Sequence, residues 1–160
     1  MKTMFRILVT ALLVSSLNTV SAAPLAPTTF KDQWDKPLEV TAQTQWVLFS
    51  HHKAGNEWIK SAFEQTKLPP LAEHQMVYVA DISGMPGLIS SLFALPKMRD
   101  YSFRIAIANE EEMTQAWPRK DEQVTLLKLE NKDVKEVRYL VNEAELLTAL
   151  QQIQRPASEN

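Results

Sequence analysis

Trp46-Val47-Leu48-Phe49-Ser50 is a short, continuous apolar run that gives way at His51-His52-Lys53-Ala54-Gly55 to Asn56-Glu57-Trp58-Ile59-Lys60-Ser61-Ala62-Phe63, a stretch with helical spacing. An apolar run without alternation suits a strand covered on both faces. Trp58, Ile59, Ala62 and Phe63 fall on one helical face, with Asn56 read as the N-cap and Glu57 in the first turn. Leu68-Pro69-Pro70 ends that element, and Met76-Val77-Tyr78-Val79-Ala80-Asp81 follows as a second strand. A strand, a helix and another strand in that order imply parallel pairing through a right-handed crossover.

The pattern continues downstream. Ser83-Gly84-Met85-Pro86 opens a second helix whose apolar face is Leu88, Ile89, Leu92 and Phe93, closed by Leu95-Pro96. From Ser102 to Ala108 the chain alternates, with Phe103, Ile105 and Ile107 on one side, as a third strand would. Asn109 followed by Glu110, Glu111 and Glu112 marks a helix start, with Met113, Ala116 and Trp117 as its apolar members before Pro118. Val124 to Leu129 and Val134 to Val141 read as two strands around the turn Glu130-Asn131-Lys132-Asp133. Asn142 and Glu145 form a capping-box-like pair before Leu146, Leu147, Leu150 and Ile153, the inner stripe of a last helix. Upstream, Phe30 to Val40 reads as a hairpin turning at Asp35-Lys36.

The first residues set the compartment. Lys2 and Arg6 precede an apolar stretch, Ile7 to Leu17, that is too short to span a bilayer, and Val20-Ser21-Ala22 fits a cleavage site before Ala23. The alternative is an uncleaved anchor. We read 1–22 as a signal peptide, 23–29 as a flexible lead-in, 30–154 as one domain and 155–160 as a disordered tail. The expected location is the periplasm, with no stable membrane insertion after cleavage. Cleavage removes 22 of 160 residues, leaving about 138, enough for one packed core. Without Lys2 and Arg6 the mature chain has 15 basic and 19 acidic residues, a net charge of −4, which disfavours nucleic acid and anionic lipid as partners. Exported proteins commonly use disulfides, but this chain has no cysteine, so packing alone stabilises it.

The order of elements resembles the thioredoxin-like superfamily, in its exported TlpA/peroxiredoxin-type branch. Phe30-x-Asp32…Asp35-Lys36-Pro37-Leu38-Glu39-Val40…Trp46-Val47-Leu48-Phe49 is similar to the entrance of that branch. Val124-Thr125-Leu126-Leu127-Lys128-Leu129-Glu130-Asn131-Lys132-Asp133-Val134 is similar to its closing hairpin. The resemblance implies an α/β fold, a central mixed sheet with helices on both faces, an N-terminal hairpin and a C-terminal ββα unit. It also implies a redox motif after the first central strand. There the chain has Ala54-Gly55-Asn56-Glu57 and no thiol, which excludes thiol-disulfide exchange and thiol peroxidase chemistry. The family's cis-proline position falls near Gln123, where a non-proline residue favours trans by about 2.5–4 kcal/mol.

What remains is binding. The surface expected to carry it is the degenerate rim of His51, His52, Lys53, Asn56, Glu57 and Gln123, with an envelope protein or peptide as partner, no cofactor and no catalytic residue. Each striking residue type has an ordinary reading beside the functional one. His51 and His52 are either a solvated loop pair or the source of a weak copper or zinc site formed by His51 with Glu57 or Met85; neighbours on a strand point to opposite faces, so the two histidines rarely share one ion. Asp81 either faces the cleft or caps the next turn. Glu110 to Glu112 read as a solvated helix start. Lys97, Arg99, Arg104, Arg119 and Lys120 read as ordinary surface, and Trp34, Trp58 and Trp117 as core. No G-x-S-x-G elbow or phosphate loop is present. The alternative function is a non-thiol enzyme or a metal-binding protein acting through His51 and His52. A third is a subunit that stabilises a larger assembly, marked by an exposed apolar patch.

Overall fold

The computed structural model describes residues 24–27, 29–68 and 71–155. The leader read at 1–22 and the tail from 156 onward lie outside the described residues. Seven strands form one mixed sheet in the order β2-β1-β5-β4-β3-β6-β7. They are β1 Thr29–Lys31, β2 Pro37–Glu39, β3 Trp46–Ser50, β4 Met76–Asp81, β5 Ala106–Ala108, β6 Val124–Glu130 and β7 Asp133–Leu140. β3, β4 and β5 are parallel, and the other pairings are antiparallel. Helix α1, Lys53–Thr66, links β3 to β4. Gly87–Ile89 (α2), a π-helical turn at Ser90–Ala94 and Leu95–Met98 (α3) run on as one helix between β4 and β5. Helix α4, Glu143–Gln154, closes the chain.

Steps from β3 to β4 to β5 go the same way across the sheet, so right-handed crossovers put both connecting helices on one face. The core follows that rule. Ile59, Ala62 and Phe63 of α1, Leu146, Ala149 and Leu150 of α4, and Met98 of α3 form one cluster with Leu48, Tyr78, Ala80 and Leu126. The opposite face, Val47, Phe49, Val79 and Leu127, is covered by Leu25, Phe30, Val40 and Trp117. Among the described residues no α-helix lies in that second cluster, which narrows the expectation of helices on both faces.

Three elements depart from the sequence reading, each for a local reason. The helix expected from Asn109 is a single 3-10 turn, Glu111–Met113. Beyond it Thr114 is fully buried, and the Trp117 indole is held in the core, where its N–H donates to Ala26 O at 2.9 Å. The third strand is shorter than expected: only Ala106–Ala108 pair with β4, and upstream the Gln33 side chain takes the place of β1 against Phe103 and Ile105. The segment read as a lead-in joins the fold. Pro24 bridges Asp133, Leu25 N–H donates to Lys132 O, and Leu25 is buried. The last helix begins as expected: Asn142 accepts from the Glu145 N–H at 2.9 Å, and the Glu145 carboxylate accepts from Val141 N–H at 3.1 Å.

Candidate functional site

β3 delivers His51 and His52 to the carboxyl end of the parallel strands, where open α/β sheets bind ligands. His52, rather than Asn56, is the N-cap residue of α1, and it caps through extended backbone with no side-chain bond. The Ser50 hydroxyl donates to His52 O at 3.2 Å, tying the loop to the strand. Gly55 explains how close the helix start comes to the sheet. A Cβ there would meet His52 Cε1 and Ser50 Oγ at 2.6 Å and Val124 Cγ2 at 2.9 Å. That contact sets the start of β6, with Gln123 just before it, against the first turn of α1. Among the described residues the one cis peptide precedes Pro27, so the bond before Gln123 is trans.

The six rim residues separate by role. Lys53 and Glu57 are exposed, and Glu57 pairs with Lys97 at 3.4 Å, linking α1 to α3. His51, His52 and Gln123 are half-buried. Asn56 turns inward, where its Oδ1 accepts from the Tyr78 hydroxyl at 2.7 Å. Asn56 is therefore a support for the first turn rather than a contact surface.

Beside His51 the structure assembles a group that spacing could not show. Asp81 ends β4 and serves both roles open to it. Its Oδ1 accepts from the Ser83 N–H and hydroxyl at 2.9 and 2.6 Å, and its Oδ2 accepts from the Thr114 hydroxyl. Arg119 Nη1 lies 3.4 Å from Asp81 Oδ2, and Arg119 Nη2 donates to the Thr114 carbonyl and hydroxyl. The Arg119 guanidinium also sits over the Phe49 ring at 5.2 Å, and His51 stacks on that ring at 5.8 Å. Arg119 is thus a site residue and not ordinary surface. The signal that could have found it is Pro118-Arg119, placed by the long β5–β6 return under the strand ends.

Charge in this group is largely satisfied within it. Burial would raise the Asp81 carboxyl, but the bonds from Ser83 and Thr114 and the Arg119 charge hold it below its ordinary value. Burial pushes the His51 imidazole down, and Arg119 and His52 add to that against Asp81 and Asp121. Burial also pushes His52 down, opposed by Glu122. His51 Nδ1, both His52 ring nitrogens and Arg119 Nε are buried with no partner among the described residues. His51 and His52 meet edge to face at 5.5 Å, and His52 meets Trp58 the same way at 5.7 Å. His74 lies on the 3-10 turn Leu71–His74 before β4, at the other end of the sheet. Among the described residues no three His, Asp or Glu side chains are grouped to hold a metal ion.

From the same end of the sheet runs helix 87–98, and its apolar face points to solvent. Leu88, Ile89, Leu92 and Phe93 are 68, 45, 57 and 65 % exposed, where the spacing predicts a buried stripe. Residues 83–96 carry no charge. Met85, Leu95 and Met98 hold the helix to the core instead. The π-helical turn accommodates Pro96, which has no N–H for Leu92 O and whose ring would strike it. Leu95 N–H reaches back five residues to Ser90 O.

No family model matches the sequence, and no curated protein is similar to it. Solved structures show the fold. The thioredoxin domain of a thiol-disulfide oxidoreductase from Bacteroides vulgatus superposes with a TM-score of 0.54 at 14% identity, over 88% of this chain and 100% of that one. The peroxidoxin BcpB from Mycobacterium tuberculosis gives 0.51 at 13% identity, over 84% and 97% of the two chains. Peroxiredoxin Q from Xanthomonas campestris gives 0.50 at 11% identity, over 84% and 96%. The fold is thioredoxin-like, and this chain has no cysteine on it.

Proposed function

We propose that this cysteine-free thioredoxin-fold chain is exported to the bacterial periplasm and acts by binding a protein or peptide of the cell envelope. The observation that carries the reading is helix 87–98, uncharged as far as Pro96, which exposes four large apolar side chains beside the strand ends. Monomeric proteins seldom leave such a contiguous patch uncovered unless a partner covers it. The polar rim of His51, His52, Lys53, Glu57 and Gln123 lies at the same strand ends, and its Glu57 pairs with Lys97, one turn from Phe93; an apolar centre with a polar edge is the make-up of an interface. Thiol-based redox chemistry does not compete, since no thiol exists to carry it. Asp81 and Arg119 are occupied with each other and with Thr114, so a non-thiol enzyme would have to work through the unpartnered ring nitrogens of His51 and His52.

The test is quantitative cross-linking in envelope extract, comparing wild type with Leu92→Glu/Phe93→Glu and with His51→Ala/Glu57→Ala. Specific adducts should fall in both variants. Adducts unchanged in both would refute the reading. A metal titration of the purified protein addresses the alternative at His51: zinc or copper bound tighter than about 10 µM, lost in His51→Ala, would favour it.

A further inference from the structure

At the far end of β4 from His51 the sheet splits. β5 pairs with β4 only at Val79, Ala80 and Asp81. Met76, Val77 and Tyr78 have a neighbouring strand on the β3 side alone. The alternation of a parallel ladder decides which main-chain groups are left over. Trp46 N–H donates to Gln75 O, so the odd-numbered residues of β4 turn their main chain to β3. Ile82 N–H donates to Ala108 O, so the even-numbered residues face the β5 side. The Met76 main chain and the Tyr78 N–H therefore face the split, where no main-chain partner meets them among the described residues. Both residues are almost fully buried, at 3 and 2 % exposure. Buried backbone groups without partners are costly and rare.

Gln33 anchors the far wall of the split. Lys31 lies opposite Ile107, which sets Gln33 opposite Ile105. The Gln33 side-chain oxygen accepts from Ile105 N–H at 2.8 Å, and its amide nitrogen donates to Phe103 O at 2.7 Å. These bonds lie on the β1 side of the chain, so Gln33 anchors the 103–105 stretch from behind, away from β4. Between the two lies a cavity of about 310 Å³ with Leu38, Leu71, Met76, Tyr78 and Phe103 in its wall. Ala72 is an exposed residue of the same lining.

We infer that this cavity binds a short, extended, apolar peptide segment that adds as a strand to the Met76–Tyr78 edge. An edge of unpaired N–H and C=O groups at strand spacing is matched by another backbone, with apolar side chains filling the pocket beside it. Charge selects a neutral segment. Arg104 is neutralised by Asp32 at 2.7 Å and also donates to Pro37 O, and the other cavity walls are apolar or uncharged apart from the exposed Glu39. Three residues of edge measure roughly 10 Å, which limits the bound stretch to about three residues. The cavity lies away from the rim and helix 87–98, so the inference stands apart from the reading of that face.

The experiment titrates N-acetyl-Val-Leu-Val-amide into 15N-labelled protein and follows the Met76 and Tyr78 amides by chemical shift and hydrogen exchange. Both should shift saturably and exchange more slowly. The fully N-methylated peptide, which keeps the side chains but cannot form a ladder, should bind at least tenfold more weakly. Ala72→Phe should block binding, and Glu57→Ala at the opposite end should leave it unchanged. Unmoved Met76 and Tyr78 amides at millimolar peptide would overturn the inference. So would equal binding of the N-methylated peptide, which would show apolar filling without strand addition.

Discussion

Gln33 and Gly55 show how single side chains set this architecture. Gln33 is 1 % exposed and its amide bonds three buried main-chain groups, at Met98, Phe103 and Ile105. Gln33→Leu should cost about 2–6 kcal/mol in chemical denaturation, because Phe103 O and Ile105 N–H lose their partner at roughly 1–3 kcal/mol each. Gly55→Ala should cost about 1–3 kcal/mol, since the added methyl has no room against His52, Ser50 and Val124. The two histidines give a pH signature. Burial depresses both below the ordinary 6.5, so the unfolded chain takes up protons first as pH falls. Stability should therefore decline as pH drops below 6.5, and thermal melts of His51→Gln/His52→Gln should show a smaller decline. A second loss belongs below about pH 4. There the unfolded chain protonates Asp32 and Asp81 first; burial opposes their charge in the fold, but their hydrogen bonds and the arginines hold both carboxyls below the ordinary value. Of these roles only the turn-capping part of Asp81's was legible in the sequence, through Ser83 two residues on; the others depend on burial or partners set dozens of residues away.

At the scale of elements, periodicity located strands and helices well where burial is uniform. β4 runs from Met76 to Asp81 as read, and all six of its residues are buried. It failed where a local competitor intervened. The acidic start at Asn109 promised a helix, but a buried Thr114 bonded to Asp81 and a buried Trp117 fix the chain after one turn. The stripe Leu88, Ile89, Leu92, Phe93 has correct helical spacing and the wrong assumed direction, since spacing shows that a face exists and not what covers it. Leu92→Ser/Phe93→Ser should leave stability within about 0.5 kcal/mol of wild type, as expected for exposed positions. Leu146→Ala, in the core of α4, should cost about 2–5 kcal/mol by the same measurement. Equal losses in the two variants would return the helix face to the core.

For the whole molecule, the chain keeps a thioredoxin-like sheet without a redox centre. The βαβ unit and the closing ββα unit were both readable, because each rests on strands and helices of ordinary local pattern. The direction of the helix 87–98 face was not, and neither was the Asp81–Thr114–Arg119 group, which only the return from β5 to β6 brings beside His51. What the absence of cysteine removes is chemical; what the fold retains is a strand-end face with an apolar helix beside it. The measurement closest to that claim is cross-linked capture in envelope extract, quantified for wild type and for Leu92→Glu/Phe93→Glu, with thermal melts of both proteins alongside. The account predicts matching melts and loss of the specific adducts in the variant. Matching melts with adducts fully retained would contradict it.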